Sequence, residues 1–330
     1  MTVPAQAPAV NEPVTGPNPL RGRPAVRRLL HRDPLTPADL IMPMLIRTEP
    51  TASPLPTFTL DEVGPAAAHL ERLGVGAVKL FANGATRSLS GGDAASPFAP
   101  MITAIDAVKA AAPDLAVITE NCLCSYNTDG LCVLTDDGEY DHQATLDTLA
   151  AQAVQQARAG ADVIGPASMV DGHTGFVRQT LDAQGFQEVA LMPHLIFSSG
   201  MYGGYRAAMR AIPPGNRAAF QIHLSRPEQG VQVARQMVAE GADMLLLEPA
   251  IHTVDLLATL GRELPDVPLV PFAVSGEWAE ITYSGQRPLN EYTPALLERL
   301  RMYKRAGADA VITYSAREGA TAMGATRTVS

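Results

Sequence analysis

Lysine is nearly missing. In 330 residues only Lys79, Lys109 and Lys304 carry an amine side chain, so a mechanism built on a lysine imine has few places to stand. Aromatic residues make up 5% and Trp278 is the one tryptophan. Basic charge is short as well: 25 Lys and Arg face 34 Asp and Glu, a formal net charge of −9. That balance argues against nucleic acid or an anionic membrane as the main partner. No run of about 18 apolar residues occurs, so no membrane-spanning helix is expected. The N-terminus shows no basic stretch followed by an apolar one, so no secretory leader is evident and a cytoplasmic location is expected. The chain does have 46% hydrophobic residues and 18% charged ones. That is enough apolar material for a large core, in one large domain or two ordinary ones.

Cysteine is scarce but clustered. The three fall in one window, ENCLCSYNTDGLC, as Cys122, Cys124 and Cys132. An odd count argues against a disulfide framework.

Eight short apolar segments recur along the chain: 40–46, 76–82, 115–121, 161–167, 189–195, 242–248, 268–274 and 310–316. Most are continuous runs, as expected for strands buried on both faces of a parallel sheet. Between them, LDTLAAQAVQQARAGAD and GVQVARQMVAEGAD carry apolar residues at helical spacing and end in glycine before the next strand. Related junctions begin at 73, 158, 239 and 305. Eight βα units predict an α/β fold, a (β/α)8 TIM barrel over 40–330. A doubly wound open sheet is the alternative, but no G-x-G-x-x-G follows an early strand. Residues 1–20, rich in Pro, Ala and Asn, are expected to be disordered. Residues 21–39 carry Arg21, Arg23, Arg27, Arg28 and Arg32. They read either as a solvated arm or as an arm packed on a neighbouring subunit.

In such a barrel the active site lies at the C-terminal ends of the strands. Those ends offer Cys122 and Cys124, then Ser168 and Asp171, His194, Glu248, Ser275 with Glu277, and Tyr314. Titratable groups ending greasy strands are costly to bury without partners, which suggests a shared pocket. C-x-C-x7-C places two thiols at a strand tip and a third on the following loop. Three thiolates suit Zn2+ and leave a fourth position open, the arrangement of catalytic sites. The plainer reading is three reduced structural cysteines.

ITENCLCSYNTDGLCVL resembles the zinc segment of the porphobilinogen synthase (5-aminolevulinate dehydratase) family. LTPADLIMPMLI, GEYDHQATLDTLAAQAV, ADVIGPASMVDG, MYGGYRAAM, GADMLLLEPA, PFAVSGEWAEI and KRAGADAVITYSA extend the likeness over nearly the whole chain. The resemblance implies a TIM barrel with an N-terminal arm, assembled as homo-oligomers from arm-hugging dimers up to octamers. It implies zinc on Cys122, Cys124 and Cys132. Arg206 and Arg217 are matched to arginines that meet one substrate carboxylate, and Gln221 to a glutamine of the lid. Ser275 and Tyr314 are matched to the pair holding the other carboxylate, and Asp171 to the aspartate after the fourth strand. The aspartate before the first cysteine becomes Glu120. Glu228 matches, weakly, a glutamate linked to an allosteric Mg2+.

The departures bear on chemistry. The family forms imines on two lysines. Where one follows the sixth strand in V-K-P-A, this chain has LLLEPA, with Glu248 in place of the amine. Where the other follows the fifth strand in Y-S-x-K, this chain has MPHLIFSSG, one residue shorter, with Ile196 or Phe197 at the lysine position and His194 near the tyrosine. A tyrosine after the sixth strand becomes Thr253. A carboxylate cannot form an imine. Lys109 and Lys304 fall on helices; Lys79 falls in the second strand, where a salt-bridged or snorkelling lysine is expected over one pointing inward.

What stays are carboxylate binders and zinc ligands. The chain therefore reads as a zinc-dependent lyase or dehydrative condensing enzyme on a small keto or amino carboxylate, set in specialised metabolism. The alternatives are porphobilinogen synthase activity by an altered mechanism and a non-catalytic carboxylate-binding relative. Glu248 is the first candidate for acid–base work, unless it is paired with Arg206 or Arg217. His194 is second, against a satisfied core histidine. His173 and His252 read as solvated loop residues, Glu277 as a group that orients a neighbour, and Trp278 as packing.

Overall fold

The structure is a computed structural model that describes residues 35–48, 53–211 and 220–327. The expected disordered stretch, the arm up to residue 34 and Arg217 lie outside the described residues. Eight strands alternate with eight main helices. The strands are β1 (Leu40–Ile46), β2 (Ala77–Ala82), β3 (Ala116–Asn121), β4 (Val163–Pro166), β5 in two pieces (Ala190–Leu191 and His194–Ile196), β6 (Leu245–Glu248), β7 (Leu269–Ala273) and β8 (Val311–Thr313). They are followed in turn by α1 (Leu60–Arg72), α2 (Pro100–Ala111), α3 (His142–Arg158), α4 (His173–Ala183), α5 (Pro227–Ala239), α6 (Val254–Glu263), α7 (Leu289–Ala306) and α8 (Ala316–Arg327).

Sequential strands pair in parallel from β1 to β4 and from β6 to β8, and β8 returns to β1. The first piece of β5 pairs with β4 and the second with β6. Between the pieces, Met192 N donates to Ile164 O at 2.8 Å and Leu246 N to Pro193 O at 3.0 Å. Segment 190–196 therefore joins the two ends of the ladder and closes the (β/α)8 barrel. Pro193 has no N–H to offer and sits where the strand changes partners. No described helix is long and apolar enough to cross a membrane.

The repeated Gly-Ala-Asp junction has a double purpose. Gly74, Gly160, Gly241 and Gly307 end α1, α3, α5 and α7 with φ of 78°, 96°, 102° and 118°, a conformation that a side chain would strain. Three of them are followed by an aspartate that clasps the neighbouring strand. Val117 N, Leu191 N and Leu269 N donate to Asp162, Asp243 and Asp309 Oδ2 at 2.7, 2.8 and 2.8 Å. Each aspartate N–H donates back to the carbonyl of the same residue, at 2.9, 3.0 and 2.9 Å. Two lysines serve this N-terminal rim: Lys109 Nζ meets Asp162 at 2.5 Å and Lys304 Nζ meets Asp39 at 2.9 Å.

Apolar residues of alternating parity fill two cores, which is why the strands read as continuous runs. Leu40, Leu80, Val117 and Leu245 face the helices. Ile41, Phe81, Ile118, Leu246, Val270, Phe272 and Ile312 fill the barrel. Parity settles Lys79. It lies between the inward Ala77 and Phe81 and is fully buried, so it points into the barrel and does not snorkel. Glu120, His194 and Glu248 share that inward parity.

Candidate metal centre and active-site cavity

A cavity of about 520 Å³ opens at the C-terminal ends of the strands. Its wall includes Glu120, Cys122 and Cys124 from β3 and beyond, Cys132 from the next loop, His194 and Ile196 from β5, and Glu248 from β6. Arg206, Gln221, Ser275 and Tyr314 also face it. The barrel thus gathers nearly all the described candidates from segments far apart in sequence.

The three thiols form one cluster. Cys122 Sγ and Cys124 Sγ are 3.5 Å apart, and all three sulfurs lie within 4.8 Å of one another. Thiol donation from Cys122 and Cys132 holds Cys124 well below the usual thiol range, while the same sharing pushes Cys122 up. One thiolate flanked by two thiols already favours a cation, and the donor set fits a soft or borderline metal ion such as Zn2+. Arg87 Nη2 donates to Cys124 O at 3.0 Å and to Asn127 O at 2.7 Å, tying the cysteine loop.

Beside the thiols lies a buried carboxylate–imidazole pair. His194 Nδ1 is 2.9 Å from Glu248 Oε1. Burial, opposed by the charge of Lys79, raises Glu248 to about 8. Burial and then Lys79 hold His194 well below its usual range, so the ring is neutral and the contact is an imidazole–carboxyl hydrogen bond. Glu120 accepts from Tyr205 Oη at 2.9 Å, and burial raises it well above the carboxylate range.

Three polar atoms of wall residues are buried without a protein partner among the described residues: His194 Nε2, Tyr314 Oη and Gln221 Oε1. Ser275 differs. Its Oγ donates to Met201 O at 3.0 Å and accepts Tyr205 N–H at 3.1 Å, so it anchors the 201–205 segment. Arg206 stacks over the Tyr202 ring at 5.3 Å.

Other candidates fall elsewhere. Asp171 is exposed on the loop before α4 and is not part of the cavity wall, because the chain turns outward there through Gly172, with φ 75°. His173, expected to be solvated, is buried. It bonds Ser168 Oγ and Asn121 Oδ1, each at 2.7 Å, and burial lowers it to about 3. His252 is exposed. Glu277 accepts from Tyr303 Oη at 2.5 Å and is raised by burial to about 7. Glu228 is exposed in the first turn of α5. Phe197 lies in the core between barrel and helices. Tyr205 was not singled out as a site residue: its contact with Glu120 spans 85 positions, and no local pattern announces it.

Comparison with known proteins agrees with this geometry. The family model for delta-aminolevulinic acid dehydratase matches residues 15–322. The delta-aminolevulinic acid dehydratase of Bacillus subtilis (strain 168) is 32% identical over 310 residues, covering 91% of this chain and 95% of its own. That of Streptomyces coelicolor is 32% identical over 324 residues, covering 94% and 98%. The crystal structure of the enzyme from Toxoplasma gondii ME49 in complex with porphobilinogen matches with a TM-score of 0.87 at 28% identity, over 95% of this chain and 93% of that one. With fold, cavity and sequence in agreement, the chain belongs to the delta-aminolevulinic acid dehydratase family.

Proposed function

We propose that this chain is a zinc-dependent lyase or dehydrative condensing enzyme acting on a small keto or amino carboxylic acid without an imine-forming lysine. One observation carries the reading. The cavity wall combines three clustered thiols with a buried Glu248–His194 pair, and none of the three lysines lines it.

Held by Cys122, Cys124 and Cys132, Zn2+ would supply Lewis acidity toward a substrate oxygen or lower the pKa of a bound water. The protein's own groups do the rest. Arg206 and Gln221 offer donors to a substrate carboxylate; Arg217 joins them by resemblance. Tyr314, with its hydroxyl unpartnered, binds the second polar end. Ser275 supports that end through the 201–205 segment. Glu248, raised to about 8 by burial, gives a proton to a departing hydroxyl in its neutral form. His194 orients it. Asp171, exposed, has no part in this scheme, and Glu228 belongs to no cluster of three or more candidate metal ligands among the described residues.

The proposed setting is cytoplasmic specialised metabolism, with the chain as a homo-oligomer, from dimer up to octamer. The test is zinc content together with a panel of keto and amino carboxylates, scored for turnover in wild type, Cys124→Ala and Glu248→Gln. Zinc-free protein, or full turnover in Cys124→Ala, ends the reading.

A second reading is porphobilinogen synthase itself, working by an altered mechanism. The family match over residues 15–322 favours it. Conversion of 5-aminolevulinate to a pyrrole would decide for it. A non-catalytic carboxylate-binding relative is the third; the intact thiol cluster speaks against it.

A further inference from the structure

Lys79 and the glycine across from it place a third group behind the Glu248–His194 pair. Lys79 is fully buried and is not part of the cavity wall. Its Nζ donates to Thr119 O at 3.1 Å and lies 5.2 Å from the centre of the Phe81 ring. A Cβ added to Gly165 would stand 2.7 Å from Lys79 Nζ and 3.2 Å from His194 Nε2. The two nitrogens thus converge on one space, which glycine keeps open. His194 Nε2 is buried and has no hydrogen-bond partner among the described residues. The series runs from β2, past Gly165 on β4, to His194 on β5 and Glu248 on β6.

An ammonium donates three hydrogen bonds and accepts none. A proton on His194 Nε2 would set a second donor against it, with no acceptor for that proton among the described residues. Nε2 must therefore present its lone pair. The single proton of the neutral ring then sits on Nδ1 and is donated to Glu248 Oε1, which accepts whether the carboxyl is ionised or not.

We propose that Lys79 is a positioning residue that fixes His194 as its Nδ1–H tautomer, keeps Glu248 Oε1 as an acceptor, and so leaves the other Glu248 oxygen to carry the exchangeable proton at the cavity. Only the last clause rests on the proton-transfer role assigned to Glu248. Charges facing Lys79 support a mainly protonated amine near neutral pH: burial lowers it, Glu120 on β3 and Glu248 on β6 pull it part of the way back, and the balance is about 8.

Seven histidines and three lysines make the test tractable by selective labelling and NMR. In 15N-histidine protein, the His194 signal is the one lost in His194→Gln. It should show a protonated Nδ1 and a bare Nε2, and Lys79→Met should abolish that fixed pattern. In 13Cε-lysine protein, one of three signals should titrate near about 8, and Glu248→Gln should move it lower still, because an opposing carboxylate is lost. A protonated Nε2 in wild type, a His194 pattern unchanged in Lys79→Met, or three lysines titrating together overturns the proposal. If Lys79→Met does not fold, the wild-type tautomer and the lysine titration in Glu248→Gln decide it. No substrate is present in these spectra, so failure of the proposed activity leaves them untouched, and their failure leaves the activity assays standing.

Discussion

His194 Nδ1 and Glu248 Oε1 lie 2.9 Å apart, both side chains nearly sealed from water, on two adjacent strands of the barrel. A carboxyl so placed does not keep a solvent pKa. The proposed proton donor Glu248 would act in its neutral form, so turnover should fall as pH rises through about 8. Glu248→Gln should lose that limb and about 10²–10⁴-fold in kcat. A pH–rate profile checks both; a retained limb in the variant assigns the proton to another group.

The thiol cluster should hold about one zinc per chain, since three sulfurs within 4.8 Å of one another suit one ion. Cys124→Ala removes the most acidic of the three thiols. Elemental analysis after dialysis should show zinc in wild type and a loss of most of it in the variant.

Borohydride added with 5-aminolevulinate should leave the intact mass unchanged. Lys109 and Lys304 are held by Asp162 and Asp39, and Lys79 is sealed beneath the cavity. An adduct mapped to Lys79 would reverse the reading of the site.

Glu277 gives a stability signature apart from catalysis. Its folded-state pKa is raised by burial from 4.5 to about 7. Between those values the native state keeps a proton that the unfolded chain has lost. Stability is therefore fully present below pH about 4.5 and declines as pH rises through about 7. Glu277→Gln should flatten that decline by on the order of 3 kcal/mol, read from denaturant midpoints across the pH range.

Asp243→Ala should cost about 1–3 kcal/mol, because Leu191 N–H loses its acceptor on the neighbouring junction. Zinc content should not change, since the clasp sits at the far rim from the thiols. Thermal or denaturant unfolding with parallel metal analysis tests the pair of outcomes.

The barrel was legible because its signals are local. Continuous apolar strands, glycine stops and Gly-Ala-Asp repeats each report on a few neighbouring residues, and the structure realises them. The thiol trio was legible for the same reason, being confined to positions 122–132. What the sequence hid depends on parity and on distance along the chain. Lys79 reads as a surface-seeking lysine until the alternation in β2 turns it inward. His173 reads as a loop residue until Asn121, 52 positions away, accepts its Nε2 proton on Oδ1. Ser275 looked like a ligand for substrate, yet its hydroxyl is taken by Met201 and Tyr205. The split of β5 at Met192 and Pro193 gave no advance notice either, although it is what closes the ring.

The aspartate clasps carry an evolutionary corollary. They stitch alternate strand starts together on the side remote from the cavity, with donors and acceptors that no substrate ever meets. Mouth residues can then be exchanged, an amine for a carboxylate or a tyrosine for a histidine, while the seams that hold the barrel in register stay sewn. One scaffold is thereby free to host new reactions at one end without renegotiating its architecture at the other.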